Sequence, residues 1–515
     1  MMNKRELQEK LRGRYNRETW KSVLLEMFPD ANHFFQDQPA ILDRVEQRNL
    51  ANHIVQFGEI QLGGDNLIFL EVELKQGSVQ LARNRVGLRR LVDNEVIAGL
   101  TDGALITYYQ PETDEWRITF YSERYGWDED GNTIKEETHP KRYTYVVGPN
   151  ESCKTAAGQL MKVVQAGREN TLETVLKAFS IQKVSKEFFK EYKEQYDKFV
   201  GHLTGKIWTK NGVKEVGNRI SQFHFYFKST NDHEKEARDF VKKLLGRIVF
   251  LYFVQKKQWL GASSTEIEDG KSDFIYDLFK QVPEDQKDQF YSQWLTKLFF
   301  DTLNRDDDHT FTMPDGEVVY IPFLNGGLFE KDETDKNTES LPLTGELFSN
   351  PVDTESPNTR GFLDFLSAYN FTIHEDSPGD HTIAVDPEML GHIFENLLED
   401  NKDKGAYYTP KPIVHYMCQE SLIEYLLTEL TAENAESAEK EELRSHLEDL
   451  IKKQEAGELV GFTEEILKSL KEVKVCDPAI GSGAFPMGIL QVSSVTERIL
   501  RYSFLCSKKS TGLES

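Results

Sequence analysis

The chain has 515 residues, of which 38% are hydrophobic and 29% charged, a balance that excludes a disordered or fibrous protein. At roughly 100–200 residues per domain, the length indicates about three or four domains. Its 62 basic residues stand against 86 acidic ones, and the net charge of -24 excludes a protein that coats nucleic acid indiscriminately, although it leaves room for a local basic cleft.

The cysteines and the apolar runs bear on the cellular compartment. Cys153, Cys418, Cys476 and Cys506 form no C-x-x-C pair, which argues against a disulfide framework and against a zinc site. No run approaches the ~18–20 apolar residues of a membrane span, and the N-terminal residues include no apolar signal segment. We therefore expect a cytoplasmic protein with no membrane partner.

The first predicted elements belong to an α/β domain. An amphipathic helix over Arg5–Phe28 precedes a series of apolar runs with the length and composition of strands. These runs are His53–Leu62, Leu67–Leu74, Ala104–Tyr109 and Trp116–Tyr121.

Helical periodicity dominates after about residue 150. The predicted helices include Leu172–Phe179, Lys186–Leu203, Ala237–Trp259 and Pro412–Leu427. A loop-rich section lies between Asp306 and Asp380, and residues 429–472 are predicted to be polar and helical. The fold class that we predict is therefore a multi-domain protein with α/β and α parts.

Alternating charges follow the apolar run that begins at Asp65. Glu71, Glu73 and Lys75 occupy every second position, and alternate residues of a strand share a face. Two carboxylates there could hold Mg²⁺ through oxygen ligands, and the lysine could activate water or offset phosphate charge. The upstream acid stays open between Asp65, which is ~26 Å from Glu73 along a straight strand, and Glu59 on the preceding run.

A basic stretch without any acidic residue comes next. It contains Lys75, Arg83, Arg85, Arg89 and Arg90. On one helix face, these cations could contact DNA phosphates, which positions DNA without reading its sequence. The alternative is an ordinary solvated helix face.

The segment Val473–Phe485, VKVCDPAIGSGAF, carries the most specific signal in the chain. A short β-branched run over Val473–Asp477 predicts a strand, a turn rich in glycine follows, and an apolar helix begins near Ala484. Glycine lets the backbone turn sharply and approach a ligand closely, as in the turns that bind nucleotides after a strand.

The string DPAIGSGAF resembles motif I of amino-group DNA methyltransferases, which binds S-adenosylmethionine. Upstream, GAYYTP resembles the segment that lines the methionine end of this cofactor in adenine-N6 methyltransferases of the γ arrangement. An ordinary helix start with Thr409 as the capping residue is the alternative for the upstream string. By this resemblance the cofactor-binding residues are Tyr407, Thr409, Pro410, Asp477, Pro478, Ala479, Gly481, Gly483 and Phe485.

The E-x-K string at Glu73–Lys75 resembles half of the PD-(D/E)xK nuclease signature. With IPFLNGGLF and DPEMLGHIFENLL further along, nearly the whole chain resembles the single-chain type IIG restriction–modification enzymes. The resemblance implies a PD-(D/E)xK-like nuclease domain over residues 1–148, a helical connector over 149–380 and the start of a Rossmann-like class I methyltransferase domain over 381–515. It also implies double-stranded DNA as partner and Mg²⁺ held by Glu73 with Asp65 or Glu59, beside Glu71 and Lys75 as further catalytic residues.

The Asn-Pro-Pro-Tyr motif, which contacts the flipped target base in this family, does not occur before Ser515. We therefore expect an incomplete methyltransferase portion that cannot methylate DNA alone, with residues from about 460 onward poorly ordered or paired with a second polypeptide. The leading interpretation is a Mg²⁺-dependent DNA endonuclease joined to the front part of an adenine-N6 DNA methyltransferase. Two alternatives stay open: a methyltransferase-only modification or phage-exclusion subunit with a structural N-terminal domain, and a non-catalytic DNA-binding or assembly subunit.

Overall fold

The computed structural model describes residues 2–30, 35–42, 51–75, 101–122, 125–127, 133–135, 141–179, 181–209, 212–264, 269–306, 309–324, 327–350, 352, 359–371, 380–385, 409, 411–431, 437–478 and 484–510. The chain divides into two compact units, Met1–Leu397 and Leu398–Ser515. The predicted domain boundaries after residues 148 and 380 stay predictions.

A seven-stranded mixed sheet organises the first unit. In spatial order its strands are β1 (Phe35–Ile41), β2 (Ala51–Leu62), β3 (Asp65–Leu74), β4 (Gly103–Tyr109), β5 (Trp116–Ser122), β8 (Lys141–Val147) and β13 (Asp380–Thr382). Strand β3 pairs antiparallel with β2 and parallel with β4, so two neighbours fix its register. The predicted strand runs are confirmed as β2 to β5.

The described residues of this unit also form three small two-stranded sheets. They pair β6 (Tyr125–Trp127) with β7 (Thr133–Lys135), β9 (Lys206–Thr209) with β10 (Gly212–Glu215), and β11 (Thr310–Thr312) with β12 (Val318–Tyr320).

One face of the large sheet is covered by helices. They are α1 (Lys4–Arg12), α2 (Arg17–Met27), α3 (Lys154–Ala166) and α4 (Leu172–Ala178). Apolar residues of α2 such as Trp20 and Leu24 share a core with Phe69 of β3. The predicted single helix over residues 5–28 is wrong, because the chain leaves the helix at Gly13 and Asn16 caps α2 by accepting a 2.9 Å hydrogen bond from the Thr19 amide.

A second core lies among the helices that follow. They are α5 (Ile181–Thr204), α6 (Phe223–Tyr226), α7 (His233–Lys256), α8 (Phe274–Gln281), α9 (Glu333–Thr338) and α10 (Phe362–Leu366), with π-helical runs at Phe290–Leu295 and Lys297–Thr302. Aromatic rings fill this core, and the ring of Phe188 on α5 lies 4.9 Å from that of Phe365 on α10. The helices predicted between residues 172 and 259 are confirmed.

The described part of the second unit is helical. Its helices are α11 (Lys411–Leu430), α12 (Ser437–Glu448), α13 (Thr463–Glu472) and α14 (Ala484–Ser510). Leu422 of α11, Ile466 of α13 and Leu500 of α14 share one buried core, so these helices do not have the poor order that was one of the two expectations for residues from about 460 onward. The other expectation, pairing with a second polypeptide, stays a prediction.

The strand predicted over Val473–Asp477 is not formed. Residues 473–477 have no regular secondary structure, and the described residues of this unit include no strand that could pair with their backbone. A β-branched run forms a strand only where a neighbour satisfies its N–H and C=O groups. No helix among the described residues of either unit has the length and apolarity to cross a membrane.

Candidate active site

Two glutamates lie side by side at the C-terminal end of β3. Glu71 is opposite Val55 of β2, and Glu73 is opposite His53 of β2 and Tyr109 of β4. The Tyr109 hydroxyl is 2.8 Å from Glu73 Oε2 and 3.4 Å from Glu71 Oε1, so one phenol links both carboxylates. The alternation of a strand therefore brings this pair to one face, as expected.

Glu71 is a buried, fully engaged carboxylate. Arg17 donates from Nη2 to Oε1 at 2.6 Å and from Nε to Oε2 at 2.7 Å, and the Tyr15 hydroxyl donates to Oε2 at 2.6 Å. Burial by itself would raise the pKa of Glu71, but the hydrogen bonds from Arg17 and Tyr15 and the charge of Arg17 outweigh it and lower the pKa below its usual value. Glu71 is therefore ionised, and both of its carboxylate oxygens accept hydrogen bonds from Arg17 or Tyr15.

The loop between α1 and α2 and the first residue of α2 hold these two donors against the sheet. The Tyr15 ring lies 4.5 Å from the ring of Tyr109 and 5.3 Å from that of Trp116. The Trp116 indole N–H in turn donates to the Gly13 carbonyl at 2.9 Å. These contacts hold Gly13 and Tyr15 in place. The side chain of Arg17, at the first position of α2, is therefore directed toward β3.

Glu73 has different surroundings. Asn52 donates to Oε1 at 2.7 Å and Tyr109 to Oε2, so both hydrogen-bond donors are neutral. Asn52 is an extra residue in β2, between the pairs that join Ala51 and His53 to β3, and such a bulge turns a side chain toward a neighbouring site. The Glu73 side chain remains 20% exposed, against 2% for Glu71, which makes Glu73 the accessible carboxylate of the pair.

His53 completes this cluster. Its Nε2 atom lies 3.5 Å from Glu71 Oε1 and 3.8 Å from Glu73 Oε2. The imidazole is 30% exposed, so one edge of the cluster is open to solvent. A half-open group of carboxylates, phenol, amide and imidazole can bind a ligand and handle protons.

Three further residues were predicted for this site: Lys75, Asp65 and Glu59. Lys75 directly follows β3 beyond Glu73, is half-buried and accepts a hydrogen bond at its backbone carbonyl from the Gln110 side chain at 2.9 Å. Asp65 lies at the opposite end of β3, beside the turn of the β2–β3 hairpin, and is not brought to Glu73. Glu59 is exposed and lies opposite Ile68, which belongs to the core on the other face of the sheet.

The fit of this cluster to Mg²⁺ is incomplete. Glu73 offers the carboxylate oxygens that Mg²⁺ prefers as ligands. The oxygens of Glu71 instead accept hydrogen bonds from Arg17 and Tyr15. Within the described ranges, no three or more His, Cys, Asp and Glu side chains are arranged to hold a metal ion. The described residues therefore provide one accessible carboxylate rather than a full magnesium site. Arg83, Arg85, Arg89 and Arg90 lie outside the described residues.

The two strings assigned to the cofactor precede α11 and α14, which pack against each other in the second unit. The Cys418 thiol of α11 lies 3.7 Å from the Phe485 carbonyl of α14, and Gly488 of α14 leaves no room for a Cβ atom beside Val414 of α11. Thr409, which precedes α11, is half-buried. Asp477 and Pro478 are described as part of the irregular segment, whereas Tyr407, Pro410, Ala479, Gly481 and Gly483 lie outside the described residues.

Sequence reasoning missed five residues around the two glutamates. They are Tyr15, Arg17, Asn52, His53 and Tyr109. His53 and Tyr109 are polar or amphipathic residues at the ends of predicted strands, a signal that could have indicated them. No local pattern distinguishes Arg17 from other arginines at a helix start.

Comparison with known proteins gives one informative similarity. No family model matches the chain, and no solved structure gives a significant match. The chain is 23% identical over 351 residues to a protein of Methanocaldococcus jannaschii whose name describes it provisionally as a type II restriction enzyme and methyltransferase. The match covers 64% of this chain and 27% of that protein, so the chain spans only a part of its relative's length.

Proposed function

We propose that this chain is a cytoplasmic restriction–modification protein of the type IIG kind, acting on double-stranded DNA. Similarity to a protein named for both restriction and methylation supports a restriction–modification role in general. The finer proposal is a Mg²⁺-dependent PD-(D/E)xK endonuclease at the N-terminus, joined by a helical connector to the front part of a Rossmann-like adenine-N6 DNA methyltransferase. The observation that carries the nuclease assignment is the Glu71–Glu73 pair at the end of β3.

Glu73 is the residue that we assign to the metal. It is the accessible member of the pair, and its neutral donors leave its negative charge available to a cation. When bound, Mg²⁺ would supply charge stabilisation at a DNA phosphate. Lys75, two residues further along, is assigned to the phosphate or to the attacking water. Further oxygen ligands come from outside the described residues or from DNA in this proposal, since Asp65 and Glu59 lie elsewhere.

The nuclease assignment predicts a large effect of Glu73→Gln. We expect nicking of plasmid DNA with Mg²⁺ or Mn²⁺ to fall more than about 100-fold, because metal-based charge stabilisation contributes several kcal/mol. Glu59→Gln and Asp65→Asn are the matched controls on the same hairpin and should retain nicking. A loss in either control with full activity of Glu73→Gln would move the site to the other end of β3. No nicking by the wild-type protein would favour the methyltransferase-only alternative.

The DNA-binding assignment concerns Arg83, Arg85, Arg89 and Arg90. If these arginines contact phosphates, replacing two of them by glutamine should reduce the slope of log affinity against log salt by about 2, at ~0.9 per phosphate of duplex DNA. The loss should be similar for unrelated DNA sequences, and filter binding at several salt concentrations measures it.

The matched control for that measurement replaces Arg168 and Lys190, whose side chains are 78% and 81% exposed. An equal reduction of the slope by the control would assign it to the overall charge and return the four arginines to a solvated helix face.

The second unit is assigned to S-adenosylmethionine. Packing of α11 against α14 supports this proposal, because the strings GAYYTP and DPAIGSGAF precede these two helices. Helix N-termini favour anionic groups such as a carboxylate, which S-adenosylmethionine carries.

A further inference from the structure

We infer that Arg17 and Tyr15 are positioning residues of the candidate nuclease site, and that Glu71 anchors them instead of binding the metal. They act through Glu71 and Tyr109 to set the orientation of the Glu73 carboxylate. This inference rests on the proposed function for the role of Glu73, but the hydrogen-bond geometry that it concerns can be tested separately.

The inference starts from the single proton of the Tyr109 hydroxyl. That hydroxyl is 2.8 Å from Glu73 and 3.4 Å from Glu71, and it can donate to only one of them at a time. A tyrosine hydroxyl ordinarily ionises at about pH 10, so at pH 7 the phenol keeps its proton and remains a donor. The proton points toward the carboxylate that has the weaker set of other hydrogen-bond donors.

Glu71 has the stronger set of other donors, because Arg17 and Tyr15 both donate to it. Arg17 gives Glu71 two hydrogen bonds and a positive charge, and Tyr15 gives it a third hydrogen bond. Hydrogen bonds from a charged donor are roughly twice as strong as neutral ones. Tyr109 therefore donates to Glu73, whose other neutral donor among the described residues is Asn52.

Loss of the Arg17 charge would redirect the Tyr109 hydrogen bond from Glu73 to Glu71. Glu71, with a 2% exposed side chain, would become a buried carboxylate that has lost its guanidinium partner and keeps the Tyr15 hydroxyl and the 3.5 Å contact with His53 Nε2. Such a group competes strongly for any nearby proton donor, because an unpaired buried charge is costly. Tyr109 would turn toward Glu71, and Glu73 would lose one of the two donors that fix its oxygens.

Four variants separate this indirect role from direct ones. Arg17→Gln removes the cation, Glu71→Gln removes the anion, the double variant Arg17→Gln/Glu71→Gln removes both, and Tyr15→Phe removes one donor without changing charge. The first readout is the carboxyl ¹³C chemical shift of Glu73 at pH 7 in protein labelled at glutamate, assigned by its disappearance in Glu73→Gln. The second is the Kd for Mn²⁺ without DNA, and circular dichroism checks folding of every variant.

We expect Arg17→Gln to move the Glu73 signal and to weaken Mn²⁺ binding at least tenfold. The double variant should restore the signal and bring the Kd within threefold of wild type, because a neutral residue 71 no longer competes for Tyr109. Tyr15→Phe should shift the signal in the same direction by a smaller amount, and it serves in place of Arg17→Gln if that variant does not fold. Arg5→Gln, at an 84% exposed side chain, is the matched control and should change neither readout.

Three results would overturn the inference. The first is a Glu73 signal that stays unchanged in Arg17→Gln and Tyr15→Phe. The second is a double variant as defective as Arg17→Gln, which would mean that Arg17 acts directly. The third is loss of Mn²⁺ binding in Glu71→Gln equal to that in Glu73→Gln, which would make Glu71 a ligand. If the wild-type protein neither binds Mn²⁺ nor nicks DNA, the proposed function fails, whereas the Glu73 signal still decides the positioning role.

Discussion

Replacing Asp335 with alanine should lower the free energy of unfolding of the first unit by about 3–5 kcal/mol, because it leaves a buried arginine without its partner. The side chains of Arg247 and Asp335 are 2% and 1% exposed and form two parallel hydrogen bonds of 2.8 and 2.9 Å. Burial by itself would raise the pKa of Asp335, but Arg247 and Lys243 outweigh it and keep the carboxyl ionised. The pair joins α7 to α9 within the helical core of this unit.

Tryptophan fluorescence during urea unfolding measures this effect, since all six tryptophans lie before residue 397 and so report on the first unit. Glu333→Ala is the matched control on the same helix, because Glu333 is 75% exposed and pairs with the exposed Lys336. The control should cost no more than about 1 kcal/mol. A loss below 1 kcal/mol for Asp335→Ala would mean that water or a rearranged neighbour compensates Arg247.

The strands that sequence predicted correctly share a simple property. The run Leu67–Leu74, for example, is mostly apolar apart from Glu71 and Glu73, and it becomes a central strand that is largely buried on both faces. The strand β1, with the sequence FQDQPAI, was missed because an edge strand tolerates polar residues and proline. The three residues of β13 carry no pattern of their own and form a strand only because β8 is available to pair with them.

The two glutamates of the candidate site could be predicted from sequence, whereas the five residues around them were missed. Glu71 and Glu73 follow from the period of two within one strand, which is a local property. Tyr15, Arg17 and Tyr109 reach Glu71 from 56, 54 and 38 residues away, so their contacts depend on the packing of α2 and the register of β4. Neither packing nor register can be read from spacing along the chain.

The choice of the upstream acid illustrates the same limit. Asp65 and Glu59 are both acidic residues near the E-x-K string, and sequence offered no reason to prefer one. The structure brings neither to Glu73, because β3 continues without a break from Asp65 and because the face of Glu59 is set by its pairing with Ile68. The residue that meets Glu71 is the cation Arg17, a type of partner that a search for further metal ligands does not consider.

The ion pair between Arg17 and Glu71 should give the first unit a specific dependence on pH. We expect Glu71→Ala to lower the free energy of unfolding by roughly 2–3 kcal/mol at pH 7, the range of hydrogen bonds to charged groups. The value should lie below that of Asp335→Ala, because Arg17 is 34% exposed and regains water when its partner is removed. Urea unfolding followed by tryptophan fluorescence, with wild type and variant at each pH, measures it.

The direction of the pH effect follows from the lowered pKa of Glu71. The folded protein holds the ionised carboxyl more firmly than the unfolded chain does, so the contribution is complete above the unfolded pKa of about 4.3. It is lost as the pH falls through the lower folded value, where wild type becomes protonated and approaches the stability of Glu71→Ala. The exposed pair of Arg5 and Glu9 provides the control, since Glu9→Ala should give a small difference at every pH. A difference for Glu71→Ala that stays constant down to pH 3 would mean that packing of the side chain, and not its charge, accounts for its stabilising effect.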